Sequence, residues 1–95
     1  MTPTILHNPA QHRFEYVAPD GALAVCEYSR KDDVWDLNHT YVPASLRGQG
    51  IAAKLVDAAM AHIRGQGGLV RPSCSYVAVY FERHPELHTL LAKAV

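Results

Sequence analysis

Val42 to Ala52, VPASLRGQGIA, is the stretch whose residue types and spacing can do chemistry. One element ends at Pro43, Gly48 and Gly50 sit in a short loop, and an apolar run begins at once. A loop that leads straight into a helix points several unpaired backbone N–H groups at one place, and the helix dipole adds about half a positive charge there. Gly48 and Gly50 let an anion reach the backbone with no Cβ in the way, while Arg47 and Lys54 bring positive charge. A pyrophosphate fits that description. The stretch is neither a G-x-x-x-x-G-K-[ST] loop nor a dinucleotide fingerprint, which disfavours the usual nucleotide folds. His84 and His88 have the i, i+4 spacing of a zinc pair on a helix, but no HExxH accompanies them and Cys26 reads as packed in a strand, so no metal is expected.

The elements that must position this loop are legible from periodicity. His12 to Ala18 alternates, with Phe14, Tyr16 and Ala18 on one face and Arg13, Glu15 and Val17 on the other, the pattern of a strand. Pro19-Asp20-Gly21 makes a turn, and Ala22 to Ser29 reads as the return strand of a hairpin. Val34 to Val42 is a third strand, completing an antiparallel meander. From Ile51 to Ile63, Ile51, Leu55, Ala58, Ala59, His62 and Ile63 recur at helical spacing with no internal Pro or Gly. Leu69 to Pro72 is a short apolar strand, Ser75 to Arg83 a second helix, and Pro85 suits the first turn of a last short helix through Leu91. The order predicts an α+β (mixed α/β) fold.

Ninety-five residues make one domain's worth of chain, expected to span 1–95, and 48% hydrophobic residues suffice for a small core. Nine basic and nine acidic residues remove the global attraction on which most sequence-independent nucleic-acid and anionic-membrane binders rely. Neither partner is expected. The zero total is unevenly spread: Gln11 to Asp36 carries a net −3 and Leu37 to Gln66 a net +2, so positive charge gathers beside the glycines. No apolar run spans a bilayer, and Met1 to Ala10 has neither a basic region nor a long apolar one. A cytoplasmic protein with Cys26 and Cys74 reduced is expected.

Arg47-Gly48-Gln49-Gly50-Ile51-Ala52 matches [QR]-x-x-G-x-[GA], the acetyl-coenzyme A loop of the GCN5-related N-acetyltransferases. Around it NHTYVPASLRGQGIAAKLV, RPSCSYV and RHPEL resemble, in order and spacing, the small single-domain branch of that superfamily, which carries HTxVP, RGQGIA, PxCSYV and RHPE. The resemblance covers residues 5–92. It implies a compact fold in which the strand ending at Val42 and the strand Leu69 to Pro72 splay apart, with the pantetheine of coenzyme A entering the gap. It also implies that the backbone at Arg47, Gly48, Gln49, Gly50, Ile51 and Ala52 holds the pyrophosphate. Tyr41 and Val42 then offer backbone partners to pantetheine, and Arg83 and His84 lie near the adenosine or 3′-phosphate end.

Acetyl transfer to an amine needs the amine deprotonated, the thioester carbonyl polarised and the leaving thiolate protonated. His39, in the strand before the loop, is the candidate base, directly or through water. Cys74, directly after the last strand, is the candidate nucleophile for a route through an acetyl-cysteine, with direct attack in a ternary complex favoured. The helix tyrosine of larger members aligns with Phe81, so Tyr80 or Tyr76 is the candidate acid, the two being expected on opposite sides of their helix. Larger members also place helices between the first two strands, where this chain has only Pro19-Asp20-Gly21. An open acceptor side follows, suited to a macromolecular amine such as a lysine or protein N-terminus, and the acidic stretch is compatible with a cationic acceptor. The competing reading is a non-catalytic acyl-coenzyme A binding or sensing module. Oligomeric state stays open, with a monomer favoured.

Overall fold

The structure is a computed structural model and describes residues 4–92. The ends of the expected domain span, 1–3 and 93–95, lie outside the described residues, as do the first three positions of the stretch inspected for a leader. Five strands, β1 (Leu6–Asn8), β2 (Arg13–Val17), β3 (Leu23–Lys31), β4 (Val34–Tyr41) and β5 (Leu69–Arg71), form one sheet in sequence order. The first four pair antiparallel, and β4 and β5 pair parallel across a crossover that contains helix α1 (Ile51–Gly65). Helix α2 (Ser75–Arg83) and a 3-10 helix at Pro85–Leu90 complete the described chain.

The β2–β3 hairpin closes because Gly21 adopts φ +90°, while the Asp20 carboxylate accepts the Ala22 N–H at 3.0 Å. Two differences from the periodic reading have physical reasons. Strand β1 is three residues long and largely polar, too short to show a period, and exists because Leu6, His7 and Asn8 pair with Glu15, Phe14 and Arg13. The segment after Pro85 is 3-10 rather than α, and leads to Ala92, whose N–H donates to the Val70 carbonyl at 2.8 Å and covers the outer edge of β5.

Directly opposed residues share a face, so the register divides the sheet. One face carries Phe14, Ala24, Cys26, Tyr28, Trp35, Leu37 and Val70, all buried, and packs against Ile51, Leu55, Val56, Ala59, Met60 and Ile63 of α1. Those α1 positions follow the 3.6-residue stripe. Helix α2 joins the same side through Val77, Tyr80 and Phe81. Trp35 sits against Gly68 so closely that a Cβ there would lie 2.9 Å from its Nε1, so only glycine fits without a shift. Tyr28 belongs to this core: its hydroxyl bonds His7 Nε2 at 2.6 Å, and His7 stacks on Phe14 and meets the edge of His62. The opposite face carries Leu6, Glu15, Val25 and Tyr41 in one row, and Asn8, Arg13, Glu27 and His39 in the next. None of the described helices packs on it, and Leu6, Val17 and Tyr41 are exposed there.

Candidate active site

The site begins with an irregularity. Glu27 pairs with His39 and Tyr28 with Leu37, so Asn38 is an extra residue in β4. A bulge bends its strand and increases the local twist. The β4–β5 pairing starts at Val34 and Leu69 and ends at Asp36 and Arg71, and Pro72, which has no N–H, follows. One further bond, from the Cys74 N–H to the Leu37 carbonyl at 2.9 Å, closes the apex of the resulting V. Beyond it the outer edge of β4, from Asn38 to Tyr41, has no strand beside it among the described residues.

The Cys74 side chain lies inside this V at the N-terminus of α2, 3.6 Å from Thr40 Oγ1, which in turn lies 3.9 Å from Cys26 Sγ. The two thiols differ. Burial pushes the Cys26 thiol up to about 11. Burial acts the same way on Cys74, but the Val77 amide, the Thr40 hydroxyl and the Tyr76 amide together hold it below the ordinary thiol value.

At the far end of β4, Leu46 buries its side chain and anchors a 3-10 turn (Ala44–Leu46), and Arg47 Nε donates to the Val42 carbonyl at 3.1 Å. Gly48 and Gly50 then take φ of +82° and +73°, with open space where a Cβ would stand. The backbone N–H groups of Gly48, Gln49, Gly50, Ile51, Ala52 and Ala53 find no acceptor among the described residues. Six successive free amides at a helix start make a cradle for an anion. Beside it, Val42, Arg47, Gly50 and Tyr76 line a cavity of about 200 Å³, and a neighbouring one of about 190 Å³ runs between α1 and α2 past Asp57, Tyr80 and Arg83. The two share Ala53 and Tyr76.

The family model described as GCN5-related N-acetyl-transferase matches residues 13–90. The chain belongs to this family. Protein NATD1 of Xenopus tropicalis is 38% identical over 66 residues, covering 70% of this chain and 60% of that protein. The Homo sapiens NATD1 is 36% identical over 66 residues, covering 70% and 58%. The chain thus spans about three fifths of the length of these relatives. A GCN5-like protein from Staphylococcus aureus, solved by NMR, superposes with a TM-score of 0.73 at 24% identity over 97% of this chain and 90% of that one, which shows a shared fold. The five-stranded mixed sheet is therefore the compact α+β fold of a GCN5-related N-acetyltransferase.

Within this GCN5-related N-acetyltransferase the expected residues fall into three groups. Gly48 to Ala52 belong to the cradle, extended by Ala53, whereas the Arg47 N–H, expected among them, donates to the Ala44 carbonyl at 3.2 Å, and the Val42 carbonyl, expected to face pantetheine, already accepts Arg47 Nε. Cys74 lies in the V, and His39 stands on the exposed side of β4 one residue past the bulge, on the bare face. Tyr80 is elsewhere: its hydroxyl donates to Asp57 Oδ1 of α1 at 2.5 Å, and burial and that carboxylate push its pKa well up. Tyr76 and Tyr80 line one groove rather than opposite sides of the helix, because four residues advance only about 40° beyond a full turn. Arg83 lines the same groove with its side chain exposed. His84 stacks on Tyr80 and bonds the Tyr80 carbonyl at 2.7 Å, and His88 bonds the Phe81 carbonyl at 2.8 Å, so both close the end of α2. Thr40 and Asp57 escaped sequence reasoning. Thr40 has meaning only through the thiols beside it, and Asp57 only through a tyrosine on another helix.

Proposed function

We propose that the protein transfers acetyl from acetyl-coenzyme A to an amine, by direct attack in a ternary complex. The observation that carries this is the cradle of six free amides, Gly48 to Ala53, which follows the same half of β4 that opens into a V holding a thiol. The residues fit coenzyme A: glycines with open space above them admit a pyrophosphate, and Arg47 and Lys54 bring charge. Arg83, exposed along the α1–α2 groove, is the side chain suited to the 3′-phosphate end, with His84 holding the Tyr80 ring beside it. The backbone of Tyr41 and Val42 borders the open edge where pantetheine would lie.

When bound, acetyl-coenzyme A supplies the thioester. His39 takes a proton from the attacking amine on the bare face. Cys74 gives its S–H proton to the departing sulfur and regains one from solvent, helped by the amides and hydroxyl that stabilise its thiolate. Tyr80 shapes the groove through Asp57. No helix among the described residues covers the bare face, an openness that suits a lysine or N-terminus of a macromolecule as acceptor. The same openness is what a non-catalytic acyl-coenzyme A sensor would show.

The test is a thermal titration of the protein with acetyl-coenzyme A and coenzyme A, alongside Gly50→Val and intact mass. At 100 times its Kd a ligand adds about 2.7 kcal/mol of stability. Stabilisation that weakens at least tenfold in affinity for Gly50→Val, with no acetyl adduct on Cys74, is expected. A trapped acetyl-Cys74 would replace direct attack by the covalent route, and binding without turnover would leave the sensor. No stabilisation by either ligand would overturn the proposal.

A further inference from the structure

Cys26 is a buried thiol that the proposed reaction does not use. Directly across from it in the β3–β4 register stands Thr40, and Cys74 bonds the same Thr40 hydroxyl, so one hydroxyl serves two sulfurs. That hydroxyl donates to Cys26 Sγ at 3.9 Å and accepts the Cys74 S–H at 3.6 Å. A threonine hydroxyl has one proton to give and two lone pairs to receive with, so it donates to one sulfur at a time. The two sulfurs compete for it on unequal terms. Cys26 is fully enclosed by the core, where a thiolate would be stripped of water, and the Glu27 carboxylate further disfavours negative charge on it. Cys74 is half-buried, and the backbone amides of Val77, Tyr76 and Thr40 bond its sulfur. Among the described residues no lysine, arginine or histidine bonds either sulfur, so a charge on Cys74 is held by neutral donors.

We propose that Cys26 and Thr40 form a hydrogen-bond relay that positions Cys74, the Thr40 hydroxyl turning from Cys26 to the Cys74 sulfur when Cys74 releases its proton. Cys26 keeps its own proton and then donates its S–H to the Thr40 oxygen. No covalent bond of Thr40 or Cys26 breaks, since two hydrogens only rotate about the C–O and C–S bonds. With Cys74 as a thiol the bonds run from Cys74 through Thr40 to Cys26. With Cys74 as a thiolate they run the other way. A chain polarised in one direction strengthens each of its links. Cys26 is its neutral end donor, a task that suits a thiol kept protonated by burial. The relay rests on the proposed transfer and deepens it: Cys74 hands its proton to the departing sulfur of coenzyme A and holds the negative charge until solvent returns one. Thr40 and Cys26 act through Cys74, as positioning residues.

The experiment follows alkylation of Cys74 by iodoacetamide across pH, the modified peptide being identified by mass, in wild type, Thr40→Val, Thr40→Ser, Cys26→Ala and Cys26→Ser. Below the wild-type midpoint Thr40→Val should react about tenfold more slowly, the effect of one lost hydrogen bond to a charged group. Cys26→Ala should slow the reaction about threefold, because the far donor is lost while the hydroxyl stays. Thr40→Ser and Cys26→Ser, which keep a donor in each place, should follow wild type. At high pH, where Cys74 is ionised throughout, every variant should reach the wild-type limiting rate, which reports access and packing rather than proton affinity. A pH profile of Thr40→Val or Cys26→Ala that coincides with wild type would overturn the relay, as would a Thr40→Ser profile that coincides with Thr40→Val. A change confined to the limiting rate would overturn it too, by showing a packing role. Alkylation needs no coenzyme A, so an absence of ligand binding would sink the proposed activity while the pH profiles still decide the relay.

Discussion

The two faces of the sheet are built from the same strands and do opposite work. On one, Trp35, Leu37, Phe14 and Cys26 are fully enclosed under α1 and α2. On the other, Leu6 is 55% and Val17 54% exposed, and His39 and Asp36 stand among charged neighbours. The covered face supplies the folding free energy, and the bare face is free to carry groups that folding does not favour, among them a carboxylate oxygen without a donor. The V joins them. Its thiol sits on the covered side, with Thr40 and Cys26, whereas His39 lies on the bare side.

The sharpest way to break that division is Trp35→Ala, which removes a fully enclosed ring wedged against Gly68. A loss of about 3–5 kcal/mol is expected, read from the urea midpoint. A loss below about 1 kcal/mol would mean that the covered face does not hold the fold.

A smaller effect comes from the margin of the covered face, where β1 meets α1. Burial, and then the neighbouring His62, lower the His7 pKa below 6.5. A base whose pKa falls on folding takes up more protons when unfolded. This site therefore leaves stability intact above pH 6.5 and reduces it as pH drops below that value, towards the lower folded pKa. Melting temperatures at pH 7.5 and 5.0 should fall further apart in wild type than in His7→Gln. An equal drop in both would show that the histidine pair does not sense pH.

The smallest effect belongs to the bare face. Val17→Thr should change stability by less than about 0.5 kcal/mol, since exposed positions away from special features rarely do more. A larger loss, measured by the same urea titration, would reveal a partner surface over that face.

Much of this was legible beforehand. The α1 stripe, the β2 alternation and the glycine loop each depend on neighbours within a few residues, and their periods survive in one dimension. What escaped was short or relational. Strand β1 has three residues and no period of its own, and the bulge at Asn38 is a mismatch between two strands that neither strand encodes alone. Tyr80 has the chemistry of an acid in sequence, but its hydroxyl is held by a carboxylate 23 residues away.

By itself, then, the amino-acid sequence determined the element order from β2 onward, the glycine loop before α1 and the family, because each rests on local backbone preference and fixed spacing. The tertiary structure alone decided which face is bare, that Cys26 and Cys74 share Thr40 yet shift in opposite directions, and that Asp36 Oδ1 is buried with no donor among the described residues. Those properties depend on burial and on partners brought from distant parts of the chain, and desolvation and hydrogen bonding act through space rather than along the sequence.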